Sequence, residues 1–170
     1  GGNNIFFMPQ RPYMCLGTLR EQLLYPQLQS SDASAGVLHE ALRDVNLGHF
    51  VDRYCLDEVR EWGNILSLGE QQRVNFARVL LQPSLRLALL DEGTSACDPA
   101  NEALLYGILE KRLSSFVSVG HRPALHKYHS HVLWLYHVNP SSTGNNGNRL
   151  CNVGYSFMTM EEYEGQRGRS

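Results

Sequence analysis

Two adjacent carboxylates, Asp91 and Glu92, follow the almost wholly apolar run 85–90 and are the first candidates for chemistry. An apolar run of this length suits a strand that is buried on both faces of a parallel sheet. Ligands of such sheets bind at the carboxyl ends of the strands, so we expect the pair where a ligand lies. One carboxylate could hold a cation and the other a water molecule. The alternative, a solvated turn before Gly93, stays open from this stretch alone.

A second candidate is the helix start in residues 66–73, which read Leu-Ser-Leu-Gly-Glu-Gln-Gln-Arg. The free backbone N–H groups and the positive end of the helix dipole make such a start an anion site. Gly69 would allow a phosphate to approach closely, and the Ser67 hydroxyl could donate to it. The alternative is an ordinary N-cap by Ser67 on a surface helix.

Three further candidates lie in loops. Residues 95–98, Ser-Ala-Cys-Asp, form a turn just after the carboxylates, although Asp98 also reads as a simple helix cap. His121 follows a predicted strand, at the sheet edge where ligands bind, but an isolated histidine is also a common surface residue. Gln10 is fixed between Pro9 and Pro12, and its alternative is an ordinary polar loop residue.

The elements that must position these residues alternate between strands and helices. Strands are predicted over 5–8, 85–90, 116–119 and 132–136, with an edge strand over 150–157. Helices are predicted over 19–24, over 37–45 with Gly48 closing the segment, near Tyr54, from Ser67 to Pro83, and after Asp98-Pro99. Residues 62–64 read as a break, and the polar tail 161–170 is expected to fray. This order predicts an α/β fold with a mainly helical insert between Thr18 and Leu81.

The bulk composition describes one globular domain of 170 residues, with 42% hydrophobic residues and a formal net charge of -2. That charge gives no reason to expect a nucleic-acid partner. No apolar run approaches the roughly 20 residues of a membrane span. The four cysteines form no CxxC pair and read as reduced thiols. The chain has no initiator methionine, and we expect it to be a piece of a longer protein.

Five features of the sequence resemble, in their order and spacing, the nucleotide-binding domain of ATP-binding-cassette (ABC) transporters. They are Gln10, the helix start at 66–73, Asp91-Glu92, the turn at 95–98 and His121. The likeness covers about residues 5–136. It implies an α/β fold of the P-loop NTPase type, a three-layer core that is incomplete at the N-terminus. A helical subdomain at about 18–82 would carry the signature motif. Residues 1–138 would form the partial domain, and 139–170 a flexible loop and C-terminal tail.

The resemblance implies ATP and Mg²⁺ as cofactors and assigns roles at the sheet edge. Gln10 resembles the Q-loop glutamine, which contacts the metal and couples to the transmembrane helices. Asp91 resembles the aspartate that holds Mg²⁺, and Glu92 the general base that polarises the attacking water. His121 resembles the switch histidine that contacts the γ-phosphate. Such roles fit phosphoryl transfer, where positioning and electrostatics supply most of the catalysis.

Two other groups of residues resemble parts of the family's dimer interface. Ser67, Gly69 and Glu70 match the signature motif, which binds the γ-phosphate of ATP held by the opposite subunit. Ser95 and Asp98 match the D-loop at the dimer seam. The implied partners are therefore a second nucleotide-binding domain, identical or different, and a transmembrane domain of the same parent chain.

Departures from the common motifs indicate a subfamily. Leu68 and Glu70 replace the third and fifth residues of the common Leu-Ser-Gly-Gly-Gln signature. This version is similar to subfamily D, the peroxisomal fatty-acyl half-transporters and their relatives. The same likeness extends to residues 7–14, 17–26 and Trp62. Gly93 and Cys97 replace a usual alanine and a usual leucine, which could loosen the D-loop without abolishing chemistry.

The phosphate loop of the family, Gly-x-x-Gly-x-Gly-Lys-Ser/Thr, does not occur in these 170 residues. Because that loop carries most of the grip on the β- and γ-phosphates, we expect the chain alone to bind MgATP poorly. The implied function is the C-terminal part of the ATPase domain of a half-transporter, moving fatty acyl-CoA-like lipids. A soluble ABC ATPase without a transporter, and a truncated fragment that only pairs with an intact domain, remain as alternatives. The implied location is the cytosolic face of an organelle membrane, first the peroxisome, with a plastid or a bacterial inner membrane as alternatives.

Overall fold

A computed structural model describes residues 4–26, 33–137 and 153–167. It divides the chain into two compact units, residues 1–120 and 121–170. The strands are β1 Ile5–Met8, β2 Gly17–Thr18, β3 Val59–Arg60, β4 Leu87–Asp91, β5 Ser115–Val119, β6 His131–His137 and β7 Val153–Thr159. The helices are α1 Leu19–Leu24, α2 Ala35–Asp44, α3 His49–Arg53, α4 Trp62–Ile65, α5 Leu68–Leu80, α6 Pro99–Arg112 and α7 Met160–Arg167, with a 3₁₀ helix at Pro123–Tyr128.

A parallel sheet of order β1-β4-β5 is the centre of the first unit. β4 is its middle strand and pairs with both neighbours, Phe7 lying opposite Leu89 and Asp91 opposite Val119. Parallel neighbours end at the same edge, so the loops after β1 and β4 meet there. The sequence prediction of an α/β fold with a parallel sheet is confirmed.

Only one face of this sheet is buried among the described residues. Met8, Ala88 and Leu90 lie on that face, where Phe116 contacts Tyr106 of α6 with ring centroids 5.9 Å apart. On the opposite face Phe7 and Val119 are 58% and 62% exposed. The run 85–90 is predicted to be buried on both faces, but in β4 Leu87 and Leu89 of the second face are only partly buried among the described residues. Burial here alternates with the period of two that strands impose on their side chains.

Short helices α1 to α5 form the predicted helical insert, around buried Trp62 and Phe50. α1 begins at Thr18 with the expected capping box, in which the Glu21 carboxylate accepts from the Thr18 N–H at 2.6 Å. Residues 62–64, predicted as a break, instead begin the single turn α4. Its Trp62 indole donates to the Gly17 carbonyl at 2.9 Å, which fixes α4 against β2.

The end of α2 differs from the prediction, which placed the closing residue at Gly48. Asn46 takes the left-handed conformation, with φ 58°, and the Leu47 N–H donates to the Leu42 carbonyl at 2.7 Å. This is a helix C-terminus closed by a left-handed residue, a position that asparagine tolerates better than most side chains. The Asn46 amide also donates to Asn101 at 2.8 Å, which supplies a tertiary reason for its placement.

The second unit pairs β6 and β7 as an antiparallel ladder, with α7 following β7. The predicted edge strand near 150–157 is found at Val153–Thr159, and residues 150–152 lie outside the described part. The polar tail predicted to fray is helical to Arg167, because Glu162 accepts from the Thr159 N–H at 2.8 Å and caps α7. No helix of the described residues is long and apolar enough to cross a membrane.

Candidate functional site

The carboxyl end of β4 places the two adjacent carboxylates in different backbone conformations. Asp91 is the last strand residue, whereas Glu92 has φ 48°, in the left-handed region. Holding a residue other than glycine in such a sparsely populated backbone conformation costs on the order of 1–3 kcal/mol, so surrounding contacts must stabilise it. The Glu92 N–H donates to the Val119 carbonyl at 3.0 Å, and the Glu92 carbonyl accepts from Ser95 N–H at 2.9 Å. Both neighbouring segments thus fix the Glu92 backbone.

The loop after β1 brings Gln10 to the same edge. Its Nε2 donates to Oε2 of Glu92 at 2.7 Å, across 82 residues of sequence. Two residues predicted separately as site residues are therefore in direct contact. This hydrogen bond orients the Glu92 carboxylate, and the amide oxygen of Gln10 can still serve as a metal ligand.

The side-chain oxygen atoms at this edge are suited to coordinate a magnesium ion that also binds phosphate oxygens. Mg²⁺ is usually held by one or two carboxylates together with substrate phosphate oxygens and water, and not by an all-protein cage. Asp91, Glu92 and the Gln10 amide oxygen supply that type of ligand. Among the described residues no group of three or more His, Cys, Asp or Glu side chains is arranged to hold a metal.

A capping box forms at the start of α5. Ser67 is the N-cap, its hydroxyl donates to Oε2 of Glu70 at 2.7 Å, and its N–H donates to the same oxygen at 2.8 Å. His49 lies 3.4 Å from the other carboxylate oxygen. Burial raises the pKa of Glu70, but the bonds from Ser67 and His49 and the charge of Arg73 outweigh it, and the net pKa is lowered. Glu70 is therefore an anion held within its own helix turn.

Gly69 lies against the turn that follows the carboxylates. A Cβ at this position would be 2.7 Å from the Ala96 carbonyl oxygen. The close approach seen at Gly69 is to the protein's own backbone, and the approach of a phosphate stays a prediction. Beyond this turn Asp98 caps α6, accepting from the Asn101 N–H at 2.9 Å, and that bond lowers the pKa of Asp98.

His121 is the first residue of the second unit, two positions after the last residue of β5, and it is exposed. Because it belongs to the other unit, its place beside Glu92 stays a prediction.

The sequence motifs do not single out Gln72 as a site residue. Gln72 is completely buried, and its amide contacts Gln10, Ser95 and Ala96. The helical period gave a signal, because Phe76 and Val79 share the face of Gln72 and are buried.

Comparison with known proteins gives relatives of one kind. No family model matches the chain. An ABC transporter D family member 2, chloroplastic, of Arabidopsis thaliana is 42% identical over 170 residues, covering 84% of this chain and 24% of the relative. An uncharacterized ABC transporter ATP-binding protein of Synechocystis is 52% identical over 132 residues, covering 76% of this chain and 20% of the relative. The human ATP-binding cassette sub-family D member 3 is 40% identical over 136 residues, covering 77% and 20%.

A solved structure shares the fold. A bacterial Atm1-family ABC exporter with ATP bound matches with a TM-score of 0.64 and 25% identity, over 76% of this chain and 23% of that one. The chain thus spans about a quarter or less of the length of these proteins. With the parallel sheet, the Gln10–Glu92 contact and the capped start of α5 already described, these similarities show that the chain belongs to the nucleotide-binding domains of ABC transporters, of the subfamily D type.

Proposed function

We propose that these residues form the C-terminal part of the ATP-hydrolysing domain of an ABC half-transporter. The observation that carries the proposal is the 2.7 Å bond between Gln10 and Glu92 at the end of the central strand. A carboxylate in a strained backbone position, oriented by an amide and next to a second carboxylate, is suited to polarise a water beside a metal-bound phosphate. We place residues 1–138 in this domain, with a helical subdomain at about 18–82, and treat 139–170 as a separate loop and tail.

In this proposal the side chains act on the metal ion, the attacking water and the γ-phosphate. Asp91 and the Gln10 oxygen would hold Mg²⁺, which would neutralise charge on the phosphates of ATP. Glu92 would accept the proton of the attacking water, while Gln10 keeps its carboxylate in place. His121 would contact the γ-phosphate. Positioning and electrostatics of this kind supply most of the catalysis in phosphoryl transfer.

The start of α5 would serve the opposite subunit of a dimer. Ser67, Gly69 and Glu70 would face the γ-phosphate held there, where helix N–H groups favour an anion. The Ser67 hydroxyl, now bonded to Glu70, would rotate to donate to that phosphate. Ser95 and Asp98 would lie at the seam. The partners would be a second nucleotide-binding domain, identical or different, and the transmembrane domain of the parent chain.

The cargo and membrane are the least constrained parts of the proposal. The subfamily D likeness supports fatty acyl-CoA-like lipids, moved across an organelle membrane with this domain on its cytosolic face. A peroxisome is the first choice. One relative carries the word chloroplastic in its name and another is from a cyanobacterium, which supports plastid and bacterial inner membranes as alternatives.

The test is Glu92→Gln in the full-length protein that contains these residues, purified and reconstituted in lipid vesicles. ATP binding should persist while steady-state hydrolysis falls by about 100-fold or more, the contribution of a general base. Glu110→Gln, at an exposed carboxylate of α6, is the matched control and should hydrolyse ATP like the wild type. Long-chain acyl-CoA should stimulate the wild-type rate. An unchanged rate in Glu92→Gln would remove Glu92 from the role of base.

A further inference from the structure

Gln72 lies in the second turn of α5, between the signature residues and the sheet edge, and its side chain is 0% exposed. We propose that Gln72 is the positioning residue that transmits movement of α5 to Glu92. The inference rests on the proposed ATPase function and adds a route by which phosphate contacts at one end of α5 reach the catalytic carboxylate of the same domain.

The amide nitrogen of Gln72 binds two different loops at once. It donates to the Gln10 carbonyl at 3.0 Å and to Oγ of Ser95 at 3.1 Å. The Glu92 carbonyl is 3.5 Å away, at the limit of a hydrogen bond. The Gln10 carbonyl belongs to the loop after β1, whereas Ser95 and the Glu92 carbonyl belong to the turn after β4. The sheet connects this loop to this turn only through the pairing of β1 with β4.

The amide oxygen of Gln72 completes the junction. It accepts from the Ala96 N–H at 3.0 Å, and the Cys97 thiol lies 3.8 Å from it. A buried amide with both ends bonded is rigid, because each lost bond leaves a desolvated backbone group unpaired. α5, the Gln10 loop and the Ser95–Ala96 turn therefore cannot shift independently while Gln72 keeps these contacts.

The route to the reacting atoms has two steps. Gln72 fixes the Gln10 backbone, and the Gln10 side chain fixes the Glu92 carboxylate at 2.7 Å. On the other side Gln72 holds the Ser95–Ala96 turn, whose Ser95 N–H donates to the Glu92 carbonyl. Displacement of α5 by a bound phosphate would thus alter both the side chain and the backbone of Glu92.

Gln22 of α1 provides a matched control. It is also completely buried, and its Nε2 donates to backbone carbonyls, those of Cys15 at 2.9 Å and Thr18 at 3.3 Å. Neither partner is a residue of the proposed site. Loss of either glutamine removes a buried amide from the first unit, but only loss of Gln72 disconnects the catalytic loops.

The experiment compares Gln72→Met with Gln22→Met in the reconstituted full-length protein, measuring kcat and KM for ATP. Misplacement of catalytic groups by about 1 Å can cost on the order of 100-fold, so Gln72→Met should lower kcat by about 10- to 100-fold. KM should stay within about twofold, because the ground-state phosphate contacts remain. Gln22→Met should retain kcat within about twofold, even where it lowers the melting temperature equally. Equal losses of kcat in the two variants, or a wild-type kcat in Gln72→Met, would overturn the inference.

A second variant covers the case in which Gln72→Met fails to fold. Gln72→Asn keeps the amide but is one methylene shorter, so it cannot reach the Gln10 carbonyl and the Ala96 N–H together. It should lose kcat as Gln72→Met does, and a wild-type kcat in this variant would refute the positioning role. The two hypotheses fail differently. A wild type without ATPase activity refutes the proposed function and the positioning role with it, whereas an active wild type with a fully active Gln72→Met variant refutes the positioning role alone.

Discussion

Replacing Gly69 by alanine should destabilise the first unit, although alanine is the better helix former. In the interior of a helix this exchange stabilises by up to about 1 kcal/mol. At Gly69 the added Cβ would lie 2.7 Å from the Ala96 carbonyl oxygen, closer than real Cβ atoms are found, and ordinary contact begins at 3.4 Å. The obstacle is backbone, which cannot rotate away as a side chain would.

The magnitude follows from these two opposing effects. Overpacking of this kind typically costs about 1–3 kcal/mol. With the gain in helix propensity subtracted, the free energy of unfolding should fall by about 0–2 kcal/mol. Gly107, inside α6, is the control because a Cβ there has no atom within 4 Å. Gly107→Ala should therefore stabilise the protein by about 0.5–1 kcal/mol.

The assay is urea unfolding followed by tryptophan fluorescence. The sequence has two tryptophans, so a Trp134→Phe background leaves buried Trp62 as the reporter of the first unit. The contrast between the two variants measures the close approach of α5 to the turn after β4. Equal stabilisation by Gly69→Ala and Gly107→Ala would show that the two segments do not touch in solution.

Two further predictions concern capping and burial. Asp98→Ala should destabilise the protein at neutral pH. The backbone N–H and the side chain of Asn101 lower the pKa of Asp98 in the folded state. The contribution of Asp98 to the free energy of unfolding is therefore complete above its unfolded-state pKa and is lost as pH falls through its folded-state pKa. The urea midpoints of wild type and variant should converge in acid. Arg78→Met should cost about 2–4 kcal/mol in the same assay, since it strips donors from the buried Gln22 carbonyl and the partly buried Tyr13 carbonyl. Burial lowers the pKa of Arg78 only to about 10, so the loss should not vary around neutral pH, and a loss no larger than that of Arg78→Lys would contradict the reasoning.

The starts of three helices could be predicted from sequence because their partners lie within one turn. Thr18 with Glu21, and Ser67 with Glu70, form their capping boxes across three residues, and Asp98 caps the helix that begins at the next residue. Such signals need no knowledge of the tertiary fold. The parallel sheet was also accessible, since apolar runs separated by helices have few other arrangements.

Contacts between distant residues could not be predicted in the same way. The bonds of Gln72 reach residues 62 positions earlier and 23 positions later, and no local pattern specifies those distances. The left-handed Glu92 is another example, because glutamate has no intrinsic preference for that conformation. The family motifs placed Gln10 and Glu92 in one site, but only the three-dimensional structure shows that one bonds directly to the other.

Helix α5 connects to the sheet edge at successive turns, and the contacts differ in what they constrain. Gly69 lies against the turn after β4. Gln72 contacts that turn and the Gln10 loop, and Arg78 contacts the same loop at the Tyr13 carbonyl, 3.0 Å away. A shift of the helix start alone would therefore strain the Ala96 turn first. A rigid shift of the whole helix must carry the Gln10 loop with it, because two of its residues hold that loop. The geometry around Glu92 thus depends on how α5 moves as well as on how far.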